Sequence, residues 1–295
     1  MKNPHHRDLD DYKIVEDQAT GFRQLSPIPS EEEINALYTD DYYQDHYPQW
    51  IEKSLAEKDY WLMMYADRYD VLEQKTTGRR ILDIGSFLGF FLEVGQKRGW
   101  EVLGIEPSTP ARKIALENNI PTKEGLFEQY SPDELGLFDV INMSLTLEHI
   151  RNPKSVLTTI KHYLKPNGLI VIEVPNDFNP LQEAAQKVLD LHQYWLAPPH
   201  HINYFNFENL PKVFEECGYE TIHKMATFPM ELFLMMGDNY IGKDDIGKNC
   251  HKRRMIFEKN MNKAGLNTLR KELYEFFAQK GIGREMILFG QLKNG

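Results

Sequence analysis

Between residues 81 and 92 the chain reads Ile81-Leu82-Asp83-Ile84-Gly85-Ser86-Phe87-Leu88-Gly89-Phe90-Phe91-Leu92, and the next apolar run ends on Glu106. The run 80–84 is short, apolar and closed by glycine, which suits a buried parallel strand. Gly85 and Gly89 stand where a chain must turn sharply and where a ligand can come close to the backbone. Phe90, Phe91, Leu92 and Val94 follow as one face of a helix. A strand over 101–105 then delivers Glu106, whose carboxylate can accept two hydrogen bonds from ribose hydroxyls. Strand, glycine turn, helix, strand and acid together point to a nucleoside-containing cofactor. The bland alternative is an ordinary βαβ turn with a surface glutamate.

The rest of the chain extends the alternation. A helix is expected over 87–98, stopped by Gly99, another over 110–118, and a short strand over 120–123. The run 138–143 reads as a strand, and Asn152-Pro153 as a helix start with Val156, Ile160 and Tyr163 inward. Lys165-Pro166-Asn167-Gly168 is a turn, and 169–174 is strongly strand-forming. A helix from Asn179-Pro180 to about Trp195 is expected next. After the loop Ala197-Pro198-Pro199-His200-His201-Ile202-Asn203-Tyr204-Phe205, Asn206 is expected to cap a helix ending at Cys217-Gly218, with a strand over 219–226. Leu269, Leu273, Phe276 and Phe277 mark a last helix, and 286–291 a closing strand, antiparallel at the sheet edge. Strands separated by helices of this length imply a mostly parallel, doubly wound sheet with helices on both faces, an α/β fold.

The flanks are less regular. Residues 1–20 are polar and expected to be loosely ordered, and 21–29 to run extended. Ser30 and Glu33 form a capping-box start, with Ile34, Leu37 and Tyr38 on its apolar side. The aromatic group Tyr42, Tyr43, His46, Tyr47 and Trp50 either packs on the main domain or covers a substrate pocket. Helical spacing over 51–72 predicts one helix. This gives an N-terminal helical extension or lid over 1–77, a core over 78–228 with 284–293, and a methionine-rich insertion over 229–283. That insertion would serve as a cap or as the contact of a homodimer.

A formal net charge of −10 argues against broad, phosphate-driven nucleic-acid binding. The basic run His251-Lys252-Arg253-Arg254 reads as a solvated helix face. Two cysteines, Cys217 and Cys250, cannot make a zinc knuckle, so no metal is expected. With no apolar signal core at the N-terminus and no long apolar window, the expected location is the cytoplasm, without a membrane span.

The spacing Asp83-x-Gly85-x-x-x-Gly89 differs from the G-x-G-x-x-G of a dinucleotide turn, and it places an acid where a phosphate would be repelled. No Gly-Lys-Ser/Thr follows, so the turn is not a P-loop. A cofactor with cationic groups and no phosphate fits better. At these residues the chain resembles the class I S-adenosylmethionine-dependent methyltransferases, whose Rossmann-like fold has a seven-stranded sheet. The resemblance runs from about 80 to 226. It rests on the 81–89 stretch, on Ile105-Glu106-Pro107-Ser108, on Phe138-Asp139-Val140-Ile141-Asn142-Met143 through Leu147-Glu148-His149-Ile150-Arg151-Asn152-Pro153, and on Leu164-Lys165-Pro166-Asn167-Gly168-Leu169. Pro199-His200-His201-Ile202-Asn203-Tyr204-Phe205 and Gly281-Ile282-Gly283-Arg284-Glu285 resemble a bacterial branch acting on sugars, nucleotide-linked sugars and other small metabolites. Some members of that branch carry an N-terminal zinc ribbon, and its cysteines are missing here.

The resemblance implies roles. Asp83, Gly85, Ser86, Phe87 and Gly89 would line the methionine end of the cofactor, and Glu106 with Pro107 the ribose. Leu126 and Phe127 would flank the adenine, or simply pack in the core. Asn142 and Met143 would meet the amino group through backbone carbonyls. The family carries glycine at the position of Phe87; a phenyl group there crowds the homocysteine part or points into the core. A base for the acceptor would come from His149, His201 or His200, with Glu148 orienting a histidine. The implied function is methyl transfer to a small molecule, a sugar or nucleotide-linked sugar of surface-polysaccharide or secondary metabolism. The alternatives are an RNA or protein methyltransferase and a non-catalytic binding protein with the same fold.

Overall fold

The structure, a computed structural model, describes residues 12–34 and 41–293, without the side chains of 41–47. Leu37, Tyr38 and the Tyr42, Tyr43, His46 and Tyr47 side chains therefore lie outside the described residues, while Trp50 is half-exposed. Ser30 and Glu33 form the reciprocal pair expected of a capping box: Ser30 N donates to the Glu33 carboxylate at 2.7 Å, and Glu33 N to Ser30 Oγ at 3.1 Å.

The chain begins with strands β1 (Lys13–Glu16) and β2 (Arg23–Ser26), where loosely ordered and extended chain were expected. Helices α1 (Asp41–Ala56) and α2 (Lys58–Lys75) replace the single helix expected over 51–72, because Glu57 leaves helical geometry between them. The core alternation follows: β3 (Arg80–Ile84), α3 (Phe90–Lys97), β4 (Glu101–Glu106), α4 (Thr109–Glu117), β5 (Thr122–Glu124), α5 (Pro132–Leu135), β6 (Phe138–Ser144), α6 (Pro153–Ile160), β7 (Leu164–Pro175) and α7 (Pro180–Leu189). Helix α7 stops short of Trp195 because Asp190 turns left-handed at φ 52°. A two-residue strand β8 (Asn203–Tyr204) precedes α8 (Leu210–Glu216) and β9 (Tyr219–Ala226). Asn206 does not cap α8 directly. Its side chain accepts from Glu208 N and Asn209 N, one turn upstream of the helix. Three helices, α9 (Glu231–Met235), α10 (Asp244–Lys263) and α11 (Asn267–Gln279), lead to β10 (Glu285–Leu292).

Seven strands form one sheet in the order β5-β4-β3-β6-β7-β10-β9. It is parallel except for β10, which runs antiparallel to both neighbours. The closing strand was expected at the edge; it lies inside, between β7 and β9, and β9 is the edge. Alternate residues of each strand feed two apolar layers, as period 2 requires. Leu82, Ile141, Ile170 and Leu288 pack with α6 and α8, while Ile81, Val140, Val171 and Ile287 pack with α2 and α3. Caps fix where the helices start. Asn152 Oδ1 accepts from Ser155 N at 3.1 Å, and Val156, Leu157 and Ile160 of α6 are then buried. Burial of each such side chain stabilises by roughly 1.5–3 kcal/mol.

The basic run on α10 is a solvated face only in part: Lys252 and Arg253 are exposed. Arg254 is buried, and Arg253 and His251 pair with Asp238 and Glu57 at 2.6 and 3.1 Å. Hydrophobic side chains are scarce on this helix, and charged groups take their inner positions instead. Cys217 and Cys250 are both free and buried. Among the described residues no helix is long and apolar enough to cross a membrane.

Candidate active site at the carboxyl edge of the sheet

The turn after β3 is made by three residues with positive φ: Gly85 at 75°, Phe87 at 47° and Gly89 at 74°. A side chain at Gly85 would place its Cβ 2.6 Å from Thr146 Oγ1, so the turn and the loop after β6 touch. Gly85 N and Ser86 N both donate to the Ile105 carbonyl, at 2.9 and 3.1 Å; Phe87 N donates to Glu106 Oε2 at 2.7 Å, and Gly89 N to the Ser86 carbonyl at 2.9 Å. Four N–H groups that a phosphate-binding turn would present are thus already engaged, which removes the pyrophosphate reading on geometric grounds. Glu106 is buried. Its second oxygen accepts from Ser108 N at 2.8 Å, and burial raises its pKa despite these bonds. Each carboxylate oxygen keeps a further lone pair for a hydroxyl.

On the α2 face of the sheet the apolar rows end in polar residues. Asn142 Nδ2 donates to Asp83 Oδ1 at 2.6 Å and to Ser144 Oγ at 3.2 Å; Arg68 of α2 reaches Ser144 Oγ at 3.0 Å and pairs with Glu173. Burial pushes the Asp83 carboxyl up to about 7, against the pull of Asn142 and Arg68. Asn142 Oδ1 and Ser86 Oγ are buried without a partner among the described residues.

Other expected residues are placed differently. Asn142 and Met143 lie inside the ladder, in register with Asp83 and Ile84 on one side and Val171 and Ile172 on the other; β6 ends one residue later than expected, at Ser144. Asn142 therefore acts through its side chain, and Met143 is core. Phe127 is also core, its ring 4.7 Å from that of Tyr163, because the 3₁₀ turn at 127–129 directs it inward. Leu126, 55% exposed, is the member of that pair facing outward, and Pro107 is exposed just past β4.

Past β6, Glu148 is 1% exposed and His149 half-buried. The His149 Nδ1–H donates to the His200 carbonyl at 2.7 Å, which leaves Nε2 as the lone-pair nitrogen. His201 meets His149 edge-on, with centroids 5.1 Å apart. Burial lowers the pKa of both rings, that of His201 to about 3, so both are neutral near pH 7. Glu148, by contrast, is raised well above the ordinary range by burial and by its neighbours Asp177, Glu173 and Glu285. The structure thus brings His149 and His201 together; His200 contributes its carbonyl.

What holds this arrangement was not read from the sequence. Ile202 N donates to the Glu148 carbonyl at 2.8 Å, and Asn203 Nδ2 to the carbonyls of Leu147 and Ile150 at 3.0 and 2.6 Å. Gln24 of β2 donates to Asn203 Oδ1 at 2.8 Å, and Leu25 N to the Ile202 carbonyl at 2.9 Å. Strand β8 pairs with β2, so the amino-terminal strands fasten the histidine loop. Tyr60, Trp61, Tyr65, Phe87, Glu173 and Arg254 line part of a cavity of about 220 Å3, which Leu145, just past β6, also lines; none of His149, His200 and His201 is among its lining residues. A larger hollow of about 710 Å3 opens on the outer side of α2 and α3, and none of the expected residues lines it.

A family model described as a methyltransferase domain matches residues 63–224, more than half of the chain. The chain belongs to the S-adenosylmethionine-dependent methyltransferases. This membership accounts for the buried acid row. Asp83, buried with its pKa raised, fits a ligand that brings cationic amino and sulfonium groups, and Glu106 fits a ribose. Among curated relatives, a ubiquinone biosynthesis O-methyltransferase of Pasteurella multocida is 34% identical over 117 residues, covering 34% of this chain and 48% of that protein. One from Actinobacillus pleuropneumoniae is 32% identical over 122 residues, covering 37% and 52%. The chain spans about half the length of these relatives. A methyltransferase structure from Archaeoglobus fulgidus superposes with a TM-score of 0.51 at 17% identity, covering 85% of this chain and 100% of that one, which shows the shared fold.

Proposed function

We propose that this methyltransferase transfers a methyl group to a hydroxyl oxygen of a small polar acceptor of the sugar or nucleotide-linked sugar class. The observation that carries the reading is the pair of neutral imidazoles, His149 and His201, beside Glu148, on the loop whose Thr146 touches the turn after β3. A hydroxyl acceptor must lose a proton as it becomes a nucleophile, and an unprotonated imidazole can take it. The relatives' printed name, O-methyltransferase, supports an oxygen acceptor. The cavity supports a small one: at about 220 Å3 it is lined mainly by apolar groups, Tyr60, Trp61, Tyr65, Phe87 and Phe90 among them, with Glu173, Glu285 and Arg254 at its wall, and a long prenyl chain would need more room.

Bound S-adenosylmethionine supplies a methyl group already activated by its sulfonium, so the protein mainly supplies alignment. Glu106 holds the ribose hydroxyls, Asp83 balances the cationic end, and Leu126 covers the adenine. His149 Nε2 takes the hydroxyl proton, with its Nδ1–H held by the His200 carbonyl so that the ring presents the correct nitrogen. The test is transfer of labelled methyl to a panel of sugars, nucleotide sugars and phenols. Label is expected in a sugar-class product, with His149→Ala slower by about 100-fold or more. Label in RNA or protein, or none in any hydroxylated acceptor, contradicts the reading.

A further inference from the structure

One atom from each of Glu148, His149 and His201 lies within 4.8 Å of the others, a grouping the proton-transfer reading does not require. The three sit close without bonding to one another. Glu148 Oε1 stands 3.8 Å from His149 Nε2, too far for a hydrogen bond. Glu148 Oε2 and His201 Nδ1 are buried and have no partner among the described residues, although the Glu148 side chain is almost wholly enclosed. A buried carboxylate oxygen and a buried ring nitrogen left unmade are costly, and such orphans ask for an explanation.

We propose that Glu148, His149 and His201 form a binding site for a divalent transition cation of the zinc type. The donor set is two neutral imidazoles and one carboxyl group that releases its proton on binding, which suits zinc and its neighbours rather than magnesium or calcium, whose ligands are oxygens. Ligands at about 2.0–2.2 Å from a zinc ion stand roughly 3–4 Å apart, so closing the trio takes side-chain movements on the order of an ångström. The outer arrangement is in place: the His149 Nδ1–H is fixed on the His200 carbonyl, which directs Nε2 to the site as for a metal-bound histidine. Of the charged groups that act on the trio, Glu173 is paired with Arg68 and Glu285 with Arg284. Three protein ligands leave a position open; a cation there would engage His149 Nε2 and acidify an acceptor hydroxyl in place of that nitrogen's own proton transfer, the proton leaving to solvent. That use rests on the methyl-transfer reading above; the binding itself does not. The site is unrelated to a cysteine ribbon, and it revises the expectation of no metal that the cysteine count suggested.

The test uses the full chain, free of any affinity tag and stripped with a chelator. Calorimetry with Zn2+, and visible absorption with Co2+ as a spectroscopic substitute, should show one ion bound per chain with nitrogen ligands. Glu148→Gln and His201→Ala should each weaken Zn2+ about tenfold or more while circular dichroism shows both folded. A His5→Ala/His6→Ala variant should bind as the parent does. No saturable binding, affinity unchanged in both site variants, or loss in the His5/His6 variant overturns the proposal. Zn2+ bound at the trio by a protein that transfers no methyl group upholds the site and sinks the hydroxyl reading. Methyl transfer that persists in protein shown to bind no Zn2+ does the reverse.

Discussion

Phe87 occupies a left-handed position, φ 47°, that its family fills with glycine. Its ring packs beside Ile51, Leu88 and Phe90 and lines the wall of the 220 Å3 cavity. An L-residue pays about 1 kcal/mol or more at such a φ. Phe87→Gly and Phe87→Ala both remove the ring, so their difference isolates the backbone: the glycine variant should be the more stable, by about 1 kcal/mol in urea unfolding. His201 gives a second residue-level prediction. Its folded pKa, about 3, lies below its ordinary 6.5, so the unfolded chain binds the proton first. Its contribution is present above pH 6.5 and is lost as pH falls towards 3. Asp83, raised to about 7, has the opposite sign and loses stability as pH rises from about 4 to 7, so a raw stability curve blurs the two. The stability of the wild type relative to His201→Asn should therefore fall as pH drops from 6.5 towards 3. A relative stability that does not change with pH contradicts the burial of that ring. At this scale the sequence announced Asp83, Gly85, Gly89 and Glu106, because turn chemistry and spacing are local. It could not show that Phe127 and Met143 turn inward, since that depends on Tyr163 and on the pairing of β6 with β3 and β7.

At the scale of elements, the small sheet β1-β2-β8 does what the large sheet does not: it holds His200 and His201 against Glu148. Asn203→Ala removes a donor to two buried carbonyls and the partner of Gln24. It should cost about 2–3 kcal/mol and raise amide exchange at Ile202, while leaving binding of S-adenosylhomocysteine unchanged. Equal stability would mean the loop is held elsewhere. The strands β3, β6 and β7 were legible because each carries an apolar run close to a glycine, proline or asparagine. Strands β1 and β2 were not. Each is four residues long and partly polar, and β2 pairs with residues about 180 positions away, which no local pattern reports. Helix α10 escaped for a different reason: its inner face carries Cys250, Arg254 and Glu258, so its buried side reads as polar.

Across the whole molecule, the amino-terminal helices and the 229–283 insertion meet over the sheet through buried charge. Glu258 accepts from the hydroxyls of Tyr60 and Tyr274, both at 2.6 Å, and Arg270 grips Asp67 of α2 at 2.7 and 3.1 Å. This joins α10 and α11 to α2 and supports their proposed role as a cap. Arg270→Ala strands Asp67 in a buried place and should cost about 3–5 kcal/mol, with faster proteolysis within 229–283. Unchanged melting and proteolysis would show that the insertion is not held by this pair. At the carboxyl edge of the sheet, Glu106 fastens Phe87 N and Ser108 N while keeping lone pairs free for the ribose of the proposed cofactor site. Calorimetric titration with S-adenosylhomocysteine, on the wild type and on Glu106→Ala, tests the account at its centre. One molecule should bind per chain, and the variant should bind well over tenfold more weakly, a loss of more than about 1.4 kcal/mol. Equal affinity in a folded Glu106→Ala protein would contradict the placement of the cofactor.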